Sequence, residues 1–71
     1  MLLYGKPSEL AKYIAEEIEL ITSLQEIDKK LDEFIKRKLE VLKKCIDELK
    51  KYDENREYQV VAVETCTIIP L

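Results

Sequence analysis

The sequence predicts a mostly helical α+β fold, in which one long amphipathic helix, continuous or broken once, is followed by a single C-terminal β-strand. Basic residues recur in pairs every seven residues through residues 29–51, and apolar residues between them keep the same period. Neither glycine nor proline occurs from Ser8 to Ile69. A shared seven-residue period is typical of a helix that packs along its length against another helix. Together with a wide apolar stripe, it predicts a homo-oligomeric helical bundle.

Length and composition limit the class of protein. The 71 residues allow one domain, 1–71, whose core would be small for a stable monomer, so a homodimer or tetramer is expected to supply further burial. The net charge of −3 does not favour nucleic acid as a partner of the whole chain. Without a bilayer-length apolar run or the pattern of a signal peptide, the sequence predicts a cytoplasmic protein that does not contact membranes. Abundant lysine and glutamate, with no histidine or tryptophan, are typical of thermophile proteins.

Residues 1–7 form a short lead before the helix. Within it, Leu2–Tyr4 is apolar and predicts a brief strand. Gly5 and Pro7 then indicate a turn, because both residue types interrupt regular structure.

The helical region is predicted over residues 8–52. Ser8 is the expected N-cap, since its hydroxyl can accept a hydrogen bond from a free amide of the first turn. Ser23 followed by Glu26 matches a capping box, which indicates a break of the helix near residues 22–24. One continuous helix is the other interpretation, because serine and threonine are tolerated within helices at a small cost.

The apolar stripe of the helical region changes phase near residues 31–35. After this point the apolar spacing alternates between four and three, which makes a seam with Leu39 and Ile46 at a positions. A phase change of this kind indicates that the contact face rotates, as it does at a stutter. The oligomer interface is predicted to comprise Leu10, Ile14, Ile18, Ile21, Ile35, Leu39, Leu42, Ile46, Leu49, Val61 and Val63.

The tail of the chain differs from the helical region in period and composition. Residues 52–57 are polar and end the helix, with Asp53 and Asn55 as turn formers. Residues 58–69 are rich in β-branched side chains and predict one strand. Because a lone strand leaves backbone groups unpaired, it must pair with Leu2–Tyr4, with its copy in another subunit, or with another protein. Pairing with its own copy is the leading prediction.

The basic ladder, whose pairs recur from Lys29 to Lys51, has two interpretations. On a solvated flank, bases pair with acids four residues earlier, as Lys51 would with Asp47, and each pair contributes about 0.2–0.5 kcal/mol. Alternatively, the ladder contacts nucleic-acid phosphates. The acids in register favour the solvated flank. The nucleic-acid alternative would use Lys36, Arg37, Lys43 and Lys44.

No residue pattern indicates catalysis, a cofactor or a metal site. The sequence has no histidine to bind zinc or to activate a nucleophile, and its one glycine, Gly5, cannot form a glycine-rich phosphate loop. Cys45 and Cys66 are expected to be reduced thiols, with a disulfide within or between chains as the alternative. The sequence therefore predicts a non-catalytic assembly or interaction protein of the adaptor, regulator or accessory type. The alternative is a nucleic-acid-binding regulator.

Overall fold

The chain folds in the order β-α-α-β-β, with two helices packed on one side of a three-stranded antiparallel sheet. The computed structural model describes residues 1–27 and 32–71. The prediction of one long helix followed by a single C-terminal strand, built into a helical bundle, is therefore wrong. In chain order the elements are β1 (Leu2–Gly5), α1 (Pro7–Ile27), α2 (Asp32–Leu49), β2 (Tyr58–Ala62) and β3 (Cys66–Pro70).

Helix α1 begins earlier than predicted. The first helical hydrogen bond runs from the Leu10 amide to the Lys6 carbonyl at 2.9 Å, so Pro7 occupies the first helical position. Proline suits that position because an amide there would have no partner within the helix. Ser8 is consequently not the N-cap. Its amide donates to a carboxylate oxygen of Glu54 at 3.1 Å, and its hydroxyl donates to the other oxygen.

No break occurs at residues 22–24, where the capping-box motif predicted one. The Thr22 hydroxyl donates to the Ile18 carbonyl at 2.7 Å, and the Ser23 hydroxyl donates to the Glu19 carbonyl at 3.0 Å. Both hydroxyls are thus satisfied within the helix, a common arrangement for these residues inside helices. The capping box was a chance match.

The helical region is instead divided into α1 and α2 downstream of residues 22–24. Helix α1 ends at Ile27 and α2 begins at Asp32, so the change of apolar phase predicted near residues 31–35 coincides with the start of a second helix. The two helices have different contact faces because they are separate elements. Lys29, Lys30 and Leu31, which belonged to the ladder and the stripe, lie outside the described residues.

The two helices form an antiparallel hairpin that lies on the sheet. The Ser8–Glu54 contact places the start of α1 beside the residues that follow α2. Neither helix is long and apolar enough within the described residues to cross a lipid bilayer. Apolar side chains of both helices and of β2 make one core, which consists of Leu10, Ile14, Ile21, Ile35, Leu42, Cys45, Leu49, Tyr58, Val60 and Ala62.

The predicted single strand 58–69 is a hairpin of two strands, and β2 is the central strand of the sheet. β2 pairs antiparallel with β1 on one side, the Leu2–Tyr4 pairing that the sequence offered as one alternative, and with β3 on the other. Residues 63–65 connect the strands without glycine, asparagine or proline, and none of them has a positive φ. Because the usual turn residues are missing, the sequence did not indicate this turn.

A disulfide joins the helical layer to the sheet. Cys45 of α2 and Cys66 of β3 are bonded, with their Cα atoms 5.5 Å apart. The expectation of two reduced thiols was therefore wrong. The polar turn after α2 was predicted correctly, since the Asn55 amide donates to the Asp53 side chain at 2.9 Å and the Arg56 amide to the Asp53 carbonyl.

Candidate interaction surface

One face of the sheet packs on the helices and the other is open. Along β2, Tyr58, Val60 and Ala62 are buried, while Gln59 and Val61 alternate with them and point away from the helices. The strand register places side chains of all three strands side by side on this second face. We call it the open sheet face, and it consists of two rows, Leu2–Val61–Thr67 and Tyr4–Gln59–Ile69.

The open sheet face is mainly apolar and carries no charge. Leu2, Tyr4 and Ile69 are 54%, 56% and 42% exposed, and Val61 is half-buried. Of its polar groups, the Gln59 amide donates to the Tyr4 hydroxyl at 3.3 Å, so it is partly satisfied within the face. Antiparallel sheets with one solvated face usually place polar residues there. This face therefore has the composition of a surface that is covered.

The apolar surface continues past the end of β3. The Leu71 amide donates to the Glu57 carbonyl at 3.1 Å, which extends the β2–β3 pairing by one residue. Leu71 follows the alternation of Thr67 and Ile69 and is 61% exposed. Glu57, opposite Leu71, brings the first acidic side chain, so charge begins at the rim of the open sheet face.

A second exposed apolar surface lies on α1. Tyr13, Leu20 and Leu24 are 44%, 64% and 56% exposed and are spaced by seven and four residues, which puts them on one side of the helix. We call these three residues the α1 stripe. Glu16 and Glu17 lie between Tyr13 and Leu20, one helical turn from each. Unlike the open sheet face, the α1 stripe is therefore flanked by acids.

A groove of about 700 Å³ separates α2 from the turn between β2 and β3. Phe34 and Val63, which are 68% and 70% exposed, stand on its two sides. Charges of both signs line it, among them Arg37, Lys38 and Glu64. This mixture leaves the groove without a distinct charge preference.

The predicted oligomer interface is distributed over three environments. The structure buries six of its residues in the chain's own core, so the periodicity is explained by packing within one chain. Three more are partly buried against that core, and Val61 and Val63 remain on the surface. Whether any of them contacts a second subunit stays a prediction. The buried six are Leu10, Ile14, Ile21, Ile35, Leu42 and Leu49, and the partly buried three are Ile18, Leu39 and Ile46.

The four residues of the nucleic-acid alternative lie on the exposed side of α2. Glu40 is one helical turn from Lys36, Arg37, Lys43 and Lys44 and is itself exposed. An acid at the centre of the group lowers the positive potential that phosphate binding needs. This mixed-charge surface does not favour the nucleic-acid alternative.

The ion pairs of the ladder differ in detail from the predicted ones. Lys36 pairs with Asp32 at 3.1 Å, and Asp47 pairs with Lys50 at 3.7 Å. The sequence predicts that Asp47 pairs with Lys51, four residues later. Lys51 instead pairs with Glu48 at 3.4 Å. All three pairs join residues of α2 or the turn after it and are exposed, so each contributes little to stability.

The open sheet face was missed because one strand was predicted for the tail, whereas the tail forms two strands, β2 and β3, that make a sheet with β1. A signal was nevertheless present. Val60-Val61 and Ile68-Ile69 place apolar residues on both faces of β2 and β3. Continuous apolar runs of this kind are typical of strands covered on both sides.

Comparisons with known proteins do not relate the chain to any family. No protein-family model matches it, and no curated protein and no solved structure matches it significantly. Within residues 1–27 and 32–71, no three cysteine or carboxylate side chains are grouped to hold a metal ion. Arguments about function therefore start from the surfaces described above.

Proposed function

We propose that the protein is a non-catalytic interaction protein that acts by protein–protein contact through the open sheet face. One observation carries this proposal. The outward side of a three-stranded antiparallel sheet presents Leu2, Tyr4, Val61 and Ile69 with no charge among them. Large exposed apolar patches on small proteins mark interaction sites, because leaving them in water is unfavourable.

The strand sequences support the same proposal. If the second face of β2 and β3 were permanently solvated, Val61 and Ile69 would be the positions for polar side chains. Each instead follows an apolar residue that faces the helices. The proposal retains the predicted role of the C-terminal segment, because β3 supplies Thr67 and Ile69 to the surface.

The compartment is part of the proposal. The sequence predicted the cytoplasm, where a disulfide such as Cys45–Cys66 persists chiefly in hyperthermophiles. A composition rich in lysine and glutamate is of the thermophile type. We therefore propose a cytoplasmic protein of a thermophile, for which the disulfide is a structural bond.

Binding of the neutral apolar dye Nile red in dilute solution tests the proposed surface. We expect the Tyr4→Ser/Ile69→Ser variant to lose most of the dye fluorescence, because both side chains belong to one row of the open sheet face. The control is Leu20→Ser/Leu24→Ser, which removes a similar apolar area from the α1 stripe. We expect this control to retain most of the fluorescence.

Both variants change exposed side chains, so circular dichroism should show native secondary structure for each. Equal fluorescence from the wild type and the sheet variant would refute the open sheet face as the preferred apolar binding surface. Loss in the α1 control alone would assign that role to the α1 stripe.

A further inference from the structure

We infer that the occupant of the open sheet face is a second copy of this chain, so that two sheets pack face to face with their helices outside. This inference rests on the proposed function, since it names the partner of the same surface. Three properties of the described residues carry it: the charge of the two exposed apolar surfaces, the area of the open sheet face, and the position of its polar groups.

Charge favours the open sheet face over the α1 stripe as the surface through which two copies of the chain make contact. In a two-fold symmetric contact the same patch meets itself, so every charge near the axis meets a like charge. Glu16 and Glu17 would repel their copies across an α1 stripe contact. The open sheet face has no carboxylate or amine in its two rows, and Glu57 and Lys6 lie only at its rim. Of these two surfaces, only the sheet can be apposed to itself without repulsion.

The area of the open sheet face is sufficient for a specific dimer. Leu2, Tyr4 and Ile69 of the open sheet face, and Leu71 at its rim, are each about half exposed. An aromatic side chain buries about 150–250 Å² when fully covered, and leucine and isoleucine somewhat less. Covering the exposed half of these four side chains, together with the exposed parts of Val61, Gln59 and Thr67, would therefore bury roughly 500 Å² per copy. Two copies would bury about 1,000 Å² in total, near the lower limit for a specific interface. A reversible dimer is therefore expected rather than a permanent one.

The polar groups of the open sheet face are few, and two of them already pair with each other. The Gln59 amide already donates to the Tyr4 hydroxyl. Thr67 lies on the edge strand β3, where its hydroxyl can reach water or the second copy. Sheets packed face to face lie about 10 Å apart, so both inner faces can interdigitate. Val61, at the centre of the face, would then meet the second copy, as the sequence predicted for this residue.

The position of the charges argues against two other occupants. Binding of nucleic acid or an anionic lipid surface relies on lysine and arginine around the contact. Neither residue type belongs to the two rows of the open sheet face. At its rim the exposed Lys6, which follows β1, and the exposed Glu57, which precedes β2, have opposite charges, so the rim has no excess of positive charge. An apolar segment of another protein would fit the same surface, and the experiment below separates it from a second copy.

Sedimentation velocity over a range of protein concentrations, at low and high salt, tests the inference. We expect a reversible monomer–dimer equilibrium that persists in high salt, because no charge takes part. Ile69→Lys should weaken the dimer about tenfold or more, since two added charges meet in the symmetric interface. Thr67→Lys, at another exposed site of the same face, should act in the same direction. Leu20→Lys on the α1 stripe is the matched control and should leave the dimer unchanged.

The outcomes separate this inference from the proposed function. A wild type that stays monomeric at every concentration, while the open sheet face still binds Nile red, would overturn the second copy and leave another protein as the partner. The inference would also be overturned if Leu20→Lys abolished the dimer while Ile69→Lys and Thr67→Lys left it intact. That result would assign the dimer contact to the α1 stripe. Failure of the dye experiment and of dimerisation together would remove both proposals.

Discussion

The two faces of the sheet use the same residue types in different environments. Val60 and Val61 are adjacent valines on the central strand, yet Val60 is fully buried against the helices and Val61 is half-buried on the open sheet face. β2 and β3 therefore have the composition of strands that are covered on both faces, whereas the two helices cover only one face. The difference shows that the fold of one chain satisfies only one of the two apolar faces.

The largest effect should come from placing a charge on each face at neighbouring positions. Val60→Asp would bury an unpaired carboxylate among the helices, at a cost of several kcal/mol, and should unfold the protein. Val61→Asp puts the same group on the open sheet face, which water reaches in the monomer, so at low protein concentration it should cost about 1 kcal/mol or less. Urea denaturation followed by circular dichroism measures both. Similar losses in the two variants would show that the faces are equally covered in solution.

The second effect concerns the bond that ties β3 to the covered face. The Cys45–Cys66 bond closes a loop across a sequence separation of 21 residues. In the chain-entropy estimate, a loop of that size stabilises a protein by about 3 kcal/mol. Reduction should lower the urea midpoint correspondingly, and Cys45→Ala/Cys66→Ala should lower it to a similar extent. The double variant is also the control, because reductant should not change its midpoint. An unchanged wild-type midpoint would mean that packing alone holds β3 to α2.

The smallest effect concerns the helical layer that covers the sheet. The Glu54 carboxylate accepts hydrogen bonds from the Ser8 amide and hydroxyl at the positive end of α1. Glu54→Gln keeps the size of the side chain and removes its charge, so we expect a loss of about 0.5–1 kcal/mol. Glu57→Gln, an exposed acid outside the helices, is the comparison variant. Thermal unfolding of the two variants should differ by a few degrees, and equal melting temperatures would show that this cap contributes nothing measurable.

Local signals in the sequence predicted the secondary structure well where the usual residues were present. The apolar period located the helical positions, and Asp53 and Asn55 located the turn after α2. The hairpin of β2 and β3 was missed because residues 63–65 turn without glycine, asparagine or proline. The division between α1 and α2 was missed because no glycine follows Ile27, while an unused capping motif lay upstream at Ser23.

Local signals offered long-range features only as alternatives and could not select among them. The pairing of β1 with β2 joins residues from the two ends of the chain, and the disulfide joins Cys45 to a strand whose register was unknown. The open sheet face depends on both the hairpin and this pairing. The adjacent apolar residues of the tail indicated apolar side chains on both faces of the strands. That one of these faces is open follows only from the packing of the helices against the other.

The pairing of β1 with β2 also has a consequence for biosynthesis. More than fifty residues separate Gly5 from Tyr58, so β1 is translated long before its partner strand exists. At about 5–20 residues per second, the nascent segment around Leu2 and Leu3 waits roughly 3–10 s without a ladder of hydrogen bonds. The helical hairpin, built from contacts between neighbouring elements, can form during that interval. The sheet is then completed only once β2 and β3 have emerged, so β1, although it is synthesised before the other four elements, is one of the last to fold.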